Sequence, residues 1–208
     1  MRVLVIGSGG REHAVVKKIA ESPLAEIVYA LPGNPGMKEA VCLPGDVMDL
    51  PGVVQAARDL RVDFAVVTPD DPLAAGMVDA LEAAGIRCFG PDKKAAKIES
   101  SKVFSKNLMK KYRIPTARFE AFSELAPALA YVENHPLPLV VKADGLARGK
   151  GVVIAGTLKE AGQALRDMLE GRMFGESGSR VIVEEFLEGP EVSVLAFVDG
   201  ERVVPFVS

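Results

Sequence analysis

The chain has 208 residues, 49% of them hydrophobic and 25% charged, with a formal net charge of -3. That is soluble globular composition, sufficient to bury a core without disulfides or metals, and it excludes disorder, collagen-like repeats and disulfide scaffolds. No apolar run approaches the roughly 18 residues of a membrane span, and Met1-Arg2 leads straight into a short strand instead of a signal peptide, so a cytoplasmic protein with no membrane partner is expected. Cys42 and Cys88 lack CxxC spacing and are expected to be reduced and half-buried, with no structural zinc. A pI near 5.6 gives no global attraction to nucleic acid, although residues 84–118 carry ten basic and two acidic side chains.

In chain order, the opening RVLVIG is an apolar run ended by glycines, the signature of a buried parallel strand, and Arg11 to Glu21 has helical composition. The alternation continues with EIVYAL at 26–31, a helix at Val53 to Leu60, DFAVVT at 63–68, a helix at Leu73 to Ala84, and RCFGP at 87–91. Alternating strand and helix predict an α/β fold with an open parallel sheet. Ligands of such sheets sit beyond the carboxyl ends of the strands, so the loops at 7–11, 32–36 and 68–72 form one candidate rim.

The texture changes around Pro91, where a domain boundary is placed. Ser100-Ser101 can cap a helix whose Phe104, Leu108 and Tyr112 recur along one stripe. A short strand, a helix at Leu125 to Glu133, the strand LPLVVKAD, a glycine-rich loop and the strand GVVIAG follow. Thr157-x-x-Glu160 is a capping box, with Ala161, Ala164, Leu165 and Met168 at helical spacing after it. EVSVLAFV and ERVVPFVS read as a hairpin around a two-residue Asp199-Gly200 turn. Its Val203, Val204, Phe206 and Val207 need a packing partner, so the sheet they start is expected to be incomplete.

Three places can carry chemistry. Gly7-Ser8-Gly9-Gly10 lies between a strand and a helix, where glycines allow close approach and the helix N-terminus offers unpaired N–H groups. A dinucleotide site fails because Glu12 stands where the third glycine would be and the second strand ends in Leu31-Pro32. A single phosphate fits better, with Arg11 beside it, and a simple tight turn is the alternative. The second place is the cationic loop Asp144-Gly145-Leu146-Ala147-Arg148-Gly149-Lys150-Gly151, preceded by Lys142. It is not a Walker A loop, yet backbone donors and lysines can wrap a polyphosphate. Lys142 ends an apolar strand, where its charge calls for an anion, or snorkels to solvent. The third is VIVEEFLEGPE at 181–191, whose carboxylate and backbone groups can accept from an adenine amino group and ribose hydroxyls, or remain solvated. Lys102, Lys106 and Lys110 read as one solvated helix face. Asp70-Asp71-Pro72 reads as a capped turn or a sugar or amine contact.

Together VLVIGSGGREHA, PGNPG at 32–36, FGP at 89–91, SKVF at 101–104, VVKADGLARGKGVVIA at 140–155 and VEEFLEGPEVS at 183–193 resemble the phosphoribosylamine-glycine ligase family of the ATP-grasp superfamily, along the whole chain. The resemblance implies a Rossmann-like parallel-sheet domain over 1–100. An ATP-grasp domain over 101–208 would follow, as a helical linker (101–114), a lid subdomain (115–187) and the start of the central sheet (188–208). It assigns Gly9, Gly10 and Arg11 to the phosphate of phosphoribosylamine, with Gly33, Asn34 and Asp70 as nearby walls; the family usually has Gly-Pro-Glu where this chain has Thr68-Pro69-Asp70. It assigns Lys102 and Lys142 to the phosphates and adenine side of ATP, and Asp144, Gly145, Gly149, Lys150 and Gly151 to the lid. Glu184, Glu185 and Leu187 would line the adenine pocket and Glu191 would accept from the ribose.

The implied reaction joins glycine to phosphoribosylamine through glycyl phosphate, using ATP with Mg2+ or Mn2+. A monomer is expected, with no nucleic-acid partner. The metal ligands and catalytic groups are expected beyond Ser208, so the chain by itself is expected not to turn over. The alternatives are a non-catalytic nucleotide-binding fragment, another ATP-grasp carboxylate-amine ligase and, weakest, an NAD-dependent oxidoreductase.

Overall fold

A computed structural model describes residues 1–146, 151–171 and 179–206. Strands β1 (Arg2–Gly7), β2 (Ile27–Pro32), β3 (Val41–Cys42), β4 (Phe64–Val67) and β5 (Arg87–Phe89) form a parallel sheet in the order β3-β2-β1-β4-β5. Side chains alternate across it, so Val3 and Val5 face α1 (Gly10–Ala20) in one core. Leu4 and Ile6 join the opposite core with Val53 and Ala57 of α2 (Leu50–Asp59) and Leu81 of α4 (Met77–Ala83). Both faces are therefore covered, as a run of apolar residues without polar alternation requires. The chain leaves β1 toward β2 on one side and returns as β4 on the other, so the switch point lies between the carboxyl ends of β1 and β4.

After β5, α5 (Lys97–Ser100) and α6 (Lys102–Tyr112) lead to an antiparallel sheet of β6 (Phe119–Phe122), β7 (Leu139–Ala143), β8 (Val152–Ala155) and β9 (Val181–Glu185), ordered β6-β9-β7-β8. One face packs Leu139, Val141, Ala143, Val181 and Val183 against α7 (Leu125–Glu133) and α8 (Leu158–Leu169). The Thr157/Glu160 capping box forms as the sequence predicts. The opposite face carries Val140, Lys142, Ile182 and Glu184, because strand side chains alternate with period two.

The structure departs from the sequence reading in several places. The helix expected over Leu73–Ala84 is two helices, α3 (Asp70–Ala75) and α4, separated at Gly76, whose φ of 101° is left-handed. Strand β3 was not anticipated, since two exposed residues carry no periodic signal. In α6 the stripe Phe104, Leu108, Tyr112 does not face the core; Val103, Ser105 and Lys106 do. The terminal hairpin pairs β10 (Ala196–Val198) with β11 (Val203–Pro205), and its turn sits one residue further on than expected: the Asp199 N–H donates to Arg202 O at 3.2 Å across Gly200-Glu201, while Asp199 Oδ1 accepts from the N–H groups of Glu201 and Arg202. Phe197 stacks edge-on to Phe206 and to Phe89 of the first sheet, while Val203 and Val204 are exposed; Val207 lies outside the described residues.

Cys42 is exposed, not half-buried, whereas burial pushes the Cys88 thiol up to about 11. At pH 8 only about one Cys88 in a thousand is then thiolate. Titration with a chromogenic disulfide should therefore label Cys42 first, with Cys88 reacting only on unfolding, read by peptide mass mapping.

Candidate functional site

At the switch point the first helical turn folds back on its own loop. Glu12 is buried, its Oε2 accepts from the Gly9 N–H at 2.7 Å and its Oε1 accepts from the Thr68 hydroxyl at 2.6 Å, tying the end of β1 to the end of β4. Gly7 is required here, with φ at 126°, because a Cβ would come within 2.5 Å of Glu12 Cγ. The residue that breaks the dinucleotide pattern thus packs against the glycine turn itself.

The internal carboxylate occupies the Gly9 amide, which changes how Gly9, expected on a phosphate, can act; the first-turn amides of Gly10 and exposed Arg11 have no intrahelical acceptor. The 32–36 loop is stitched alongside. Gly33 N–H donates to Gly7 O at 3.1 Å, and Asn34 Nδ2 donates to Ser8 O at 2.8 Å while its Oδ1 accepts from Gly36 N–H. Asp70 opens α3 on the same rim and, with Glu99 and Ser100, lines a small cavity against α5. The structure therefore gathers Gly9, Gly10, Arg11, Gly33, Asn34 and Asp70 at one sheet edge.

The second cluster lies between α6 and the face of the antiparallel sheet that carries Lys142 and Glu184. Asp144 is buried, and both oxygens are committed to protein donors. Oδ1 accepts from the Val103 and Gly145 N–H groups at 3.1 and 3.0 Å and from Ser101 Oγ at 3.1 Å; Oδ2 takes the Arg180 guanidinium at 2.6 Å. The family resemblance assigns Asp144 to ATP; in the structure its carboxylate docks the N-terminus of α6 onto the loop after β7. Ser101 in turn caps α6 by accepting from Phe104 N–H. Lys102 Nζ donates to Gly145 O at 2.8 Å, and burial holds its pKa below the ordinary lysine value despite nearby Asp144.

Glu184 is 4% exposed, and its Oε2 is shared by Lys142 Nζ at 2.8 Å and Lys106 Nζ at 3.2 Å. Its Oε1 is buried with no hydrogen-bond partner among the described residues. Lys106, expected on a solvated helix face, is instead 8% exposed, and Nζ also donates to Thr116 Oγ1 at 2.8 Å and Ala117 O at 3.3 Å. The available signal was spacing, since Lys106 lies three residues after buried Val103 on the inward face of α6.

Glu185 does not join this cluster through its side chain. Strand alternation turns it to the other face, where Arg118 N–H and Nε bind its two oxygens at 2.8 and 2.6 Å and hold its pKa below the ordinary carboxylate value. Leu187 and Glu191 are exposed in the irregular segment after β9. Gly151 is buried beside β7, its carbonyl accepting from Ala143 N–H, while Gly149, Lys150 and Arg148 lie outside the described residues.

Asp144→Asn removes charge-assisted hydrogen bonds from a buried acceptor and should lower stability by about 1.5–3 kcal/mol in urea unfolding. A variant as stable as the parent but unable to bind nucleotide would return Asp144 to direct ligand contact.

Comparison with known proteins identifies the family. The phosphoribosylglycinamide synthetase N-domain model matches residues 1–99, and that family's ATP-grasp (A) domain model matches residues 100–208. Phosphoribosylamine-glycine ligases of Haemophilus influenzae and of Escherichia coli K12 are 48% and 47% identical to the chain, covering all of it and 49% of their own length. The crystal structure of the Thermotoga maritima phosphoribosylamine-glycine ligase superposes with a TM-score of 0.83 at 32% identity, over 99% of this chain and 49% of that one. A Hydrogenobacter thermophilus biotin carboxylase domain solved with MgADP shares the fold alone, at 19% identity and a TM-score of 0.72 over 90% of this chain and 44% of that one. The chain spans about half the length of the curated relatives it matches. With both domain models matched end to end, the chain belongs to the phosphoribosylglycinamide synthetase family.

Proposed function

We propose that the intact protein carrying this chain is an ATP-dependent carboxylate-amine ligase joining glycine to 5-phosphoribosylamine in purine synthesis, with the first rim receiving the phosphoribosylamine and the second cluster the nucleotide. The observation that carries the nucleotide reading is the orphaned Glu184 Oε1. A buried carboxylate oxygen without a donor costs about 1–3 kcal/mol, and a ligand N–H such as the adenine amino group offsets that cost. Lys102 and Lys142 stand beside it and supply positive charge for the phosphates.

The chemistry follows from what a carboxylate lacks. It has no leaving group, so a glycine oxygen attacks the γ-phosphorus, the bond to the β-γ bridging oxygen breaks and ADP departs. The phosphoribosylamine nitrogen then adds to the glycyl phosphate carbonyl, loses a proton and expels inorganic phosphate to leave the amide. The chain's own residues orient and neutralise: Lys102 and Lys142 on the nucleotide, and the Gly10 and Arg11 amides on the sugar phosphate. A divalent cation, Mg2+ or Mn2+, would supply further charge neutralisation on the ATP phosphates; among the described residues no group of three or more His, Cys, Asp or Glu gathers to hold one. Lys142 and Lys102 fit phosphate oxygens, not a cation. The division at residue 100 into a rim domain and a nucleotide domain belongs to the same proposal, as do placement of the adenine along Glu184 to Leu187 and of the ribose near Glu191. The Glu185 side chain is held by Arg118 on the other face of β9.

The deciding assay is ADP release by the intact protein. Release should require both glycine and phosphoribosylamine, and release independent of glycine would overturn the proposal.

A further inference from the structure

Resting on the nucleotide reading above, we propose that Lys106 is a positioning residue: it serves as the permanent counter-ion of Glu184, so that Lys142 can leave that carboxylate for a nucleotide phosphate. Two lysines meet one carboxylate oxygen, giving the cluster a net charge of +1. A buried carboxylate needs one cation, and the second is surplus positive charge facing the site.

The two lysines are not equivalent. The Lys106 side chain is 10% exposed, rises from the helix on the far side of Glu184, and is held by Thr116 Oγ1, Ala117 O and the nearby Phe119 ring as well as by Glu184. Two oxygen acceptors and the ion pair with Glu184 thus surround its ammonium group. The Lys142 side chain is 27% exposed, and among the described residues Glu184 is its hydrogen-bond partner. It also sits close enough to Lys102 for the two charges to repel, which an incoming polyphosphate relieves. Swinging Lys142 away leaves Glu184 neutralised by Lys106. Without Lys106, Lys142 is the remaining cation on a carboxylate with 5% side-chain exposure, and releasing it would strand that charge.

The test is a double-mutant cycle on the intact protein with Lys106→Met and Glu184→Gln, reading ADP and adenosine affinity by calorimetry. Lys106→Met should weaken ADP roughly 10- to 100-fold, the value of one charged hydrogen bond, and leave adenosine within about twofold. Adding Glu184→Gln to it should restore ADP affinity to within about twofold of Glu184→Gln alone, because no carboxylate then detains Lys142. Equal loss of ADP and adenosine, or a double variant as weak as Lys106→Met, would overturn the role. If Lys106→Met fails to fold, comparing Glu184→Gln with the double variant still decides it: equal ADP affinities support action through Glu184, and a difference overturns it. A parent protein that binds neither ADP nor adenosine overturns the nucleotide reading itself, whereas binding by the parent with a failed cycle overturns only the part given to Lys106.

Discussion

A carboxylate closed off from water must find positive charge, and in this protein Glu184 finds it on two separate elements. Lys142 arrives from the neighbouring strand β7 and Lys106 from helix α6, which no backbone ladder joins to that sheet. The requirement to neutralise one buried charge therefore fixes where α6 lies against the antiparallel sheet. Asp144 enforces the same contact a few residues away by accepting from Ser101 and the Val103 N–H. Buried ion pairs of this kind contribute little net stability, because desolvation offsets their attraction, but breaking one partner is expensive. Their effect is to make one arrangement of helix and sheet much better than its neighbours, and that arrangement puts Lys102, Lys142 and Glu184 side by side.

The first sheet solves a comparable problem at its switch point. A helix N-terminus attracts anions, and here Glu12 supplies an internal one that also captures Thr68 from the adjacent strand. The loop is thereby held in shape while the amides of Gly10 and Arg11, in the first turn of α1, have no intrahelical acceptor. The residue that breaks the dinucleotide pattern is the one that ties this loop to β4. Both sites are arranged alike: a buried carboxylate organises the local backbone, and nearby donors are left for a ligand. They approach each other where Asp70 and Ser100 line one small cavity.

Much of this was legible before any coordinates. Continuous apolar runs such as VLVI and FAVV announce strands buried on both faces, and the capping box at Thr157 marks the start of α8 to the residue. Gly76 was harder to see, because whether a glycine interrupts a helix depends on what its neighbours must reach, and here Met77, Val78 and Leu81 must reach the core. Among the site residues, Lys142 could be read from the cost of a charge on an apolar strand. The two faces of β9 should have separated Glu184 from Glu185 by alternation alone, since consecutive strand residues point oppositely. The pairings of Lys106 and Asp144 were hidden for one reason: their partners lie 78 and at least 36 positions away in the chain, at Glu184 and at Ser101 and Arg180, so composition and local spacing carry no trace of them.

The cluster at Glu184 carries the functional account, so the most direct measurement is a crystal structure of the intact protein with ADP bound. The expected result has the adenine amino group donating to Glu184 Oε1, Lys106 still paired with Oε2, and Lys142 transferred from the carboxylate to a phosphate oxygen. An adenine placed elsewhere, or a nucleotide bound while Lys142 remains on Glu184 and Lys106 has moved, would contradict it.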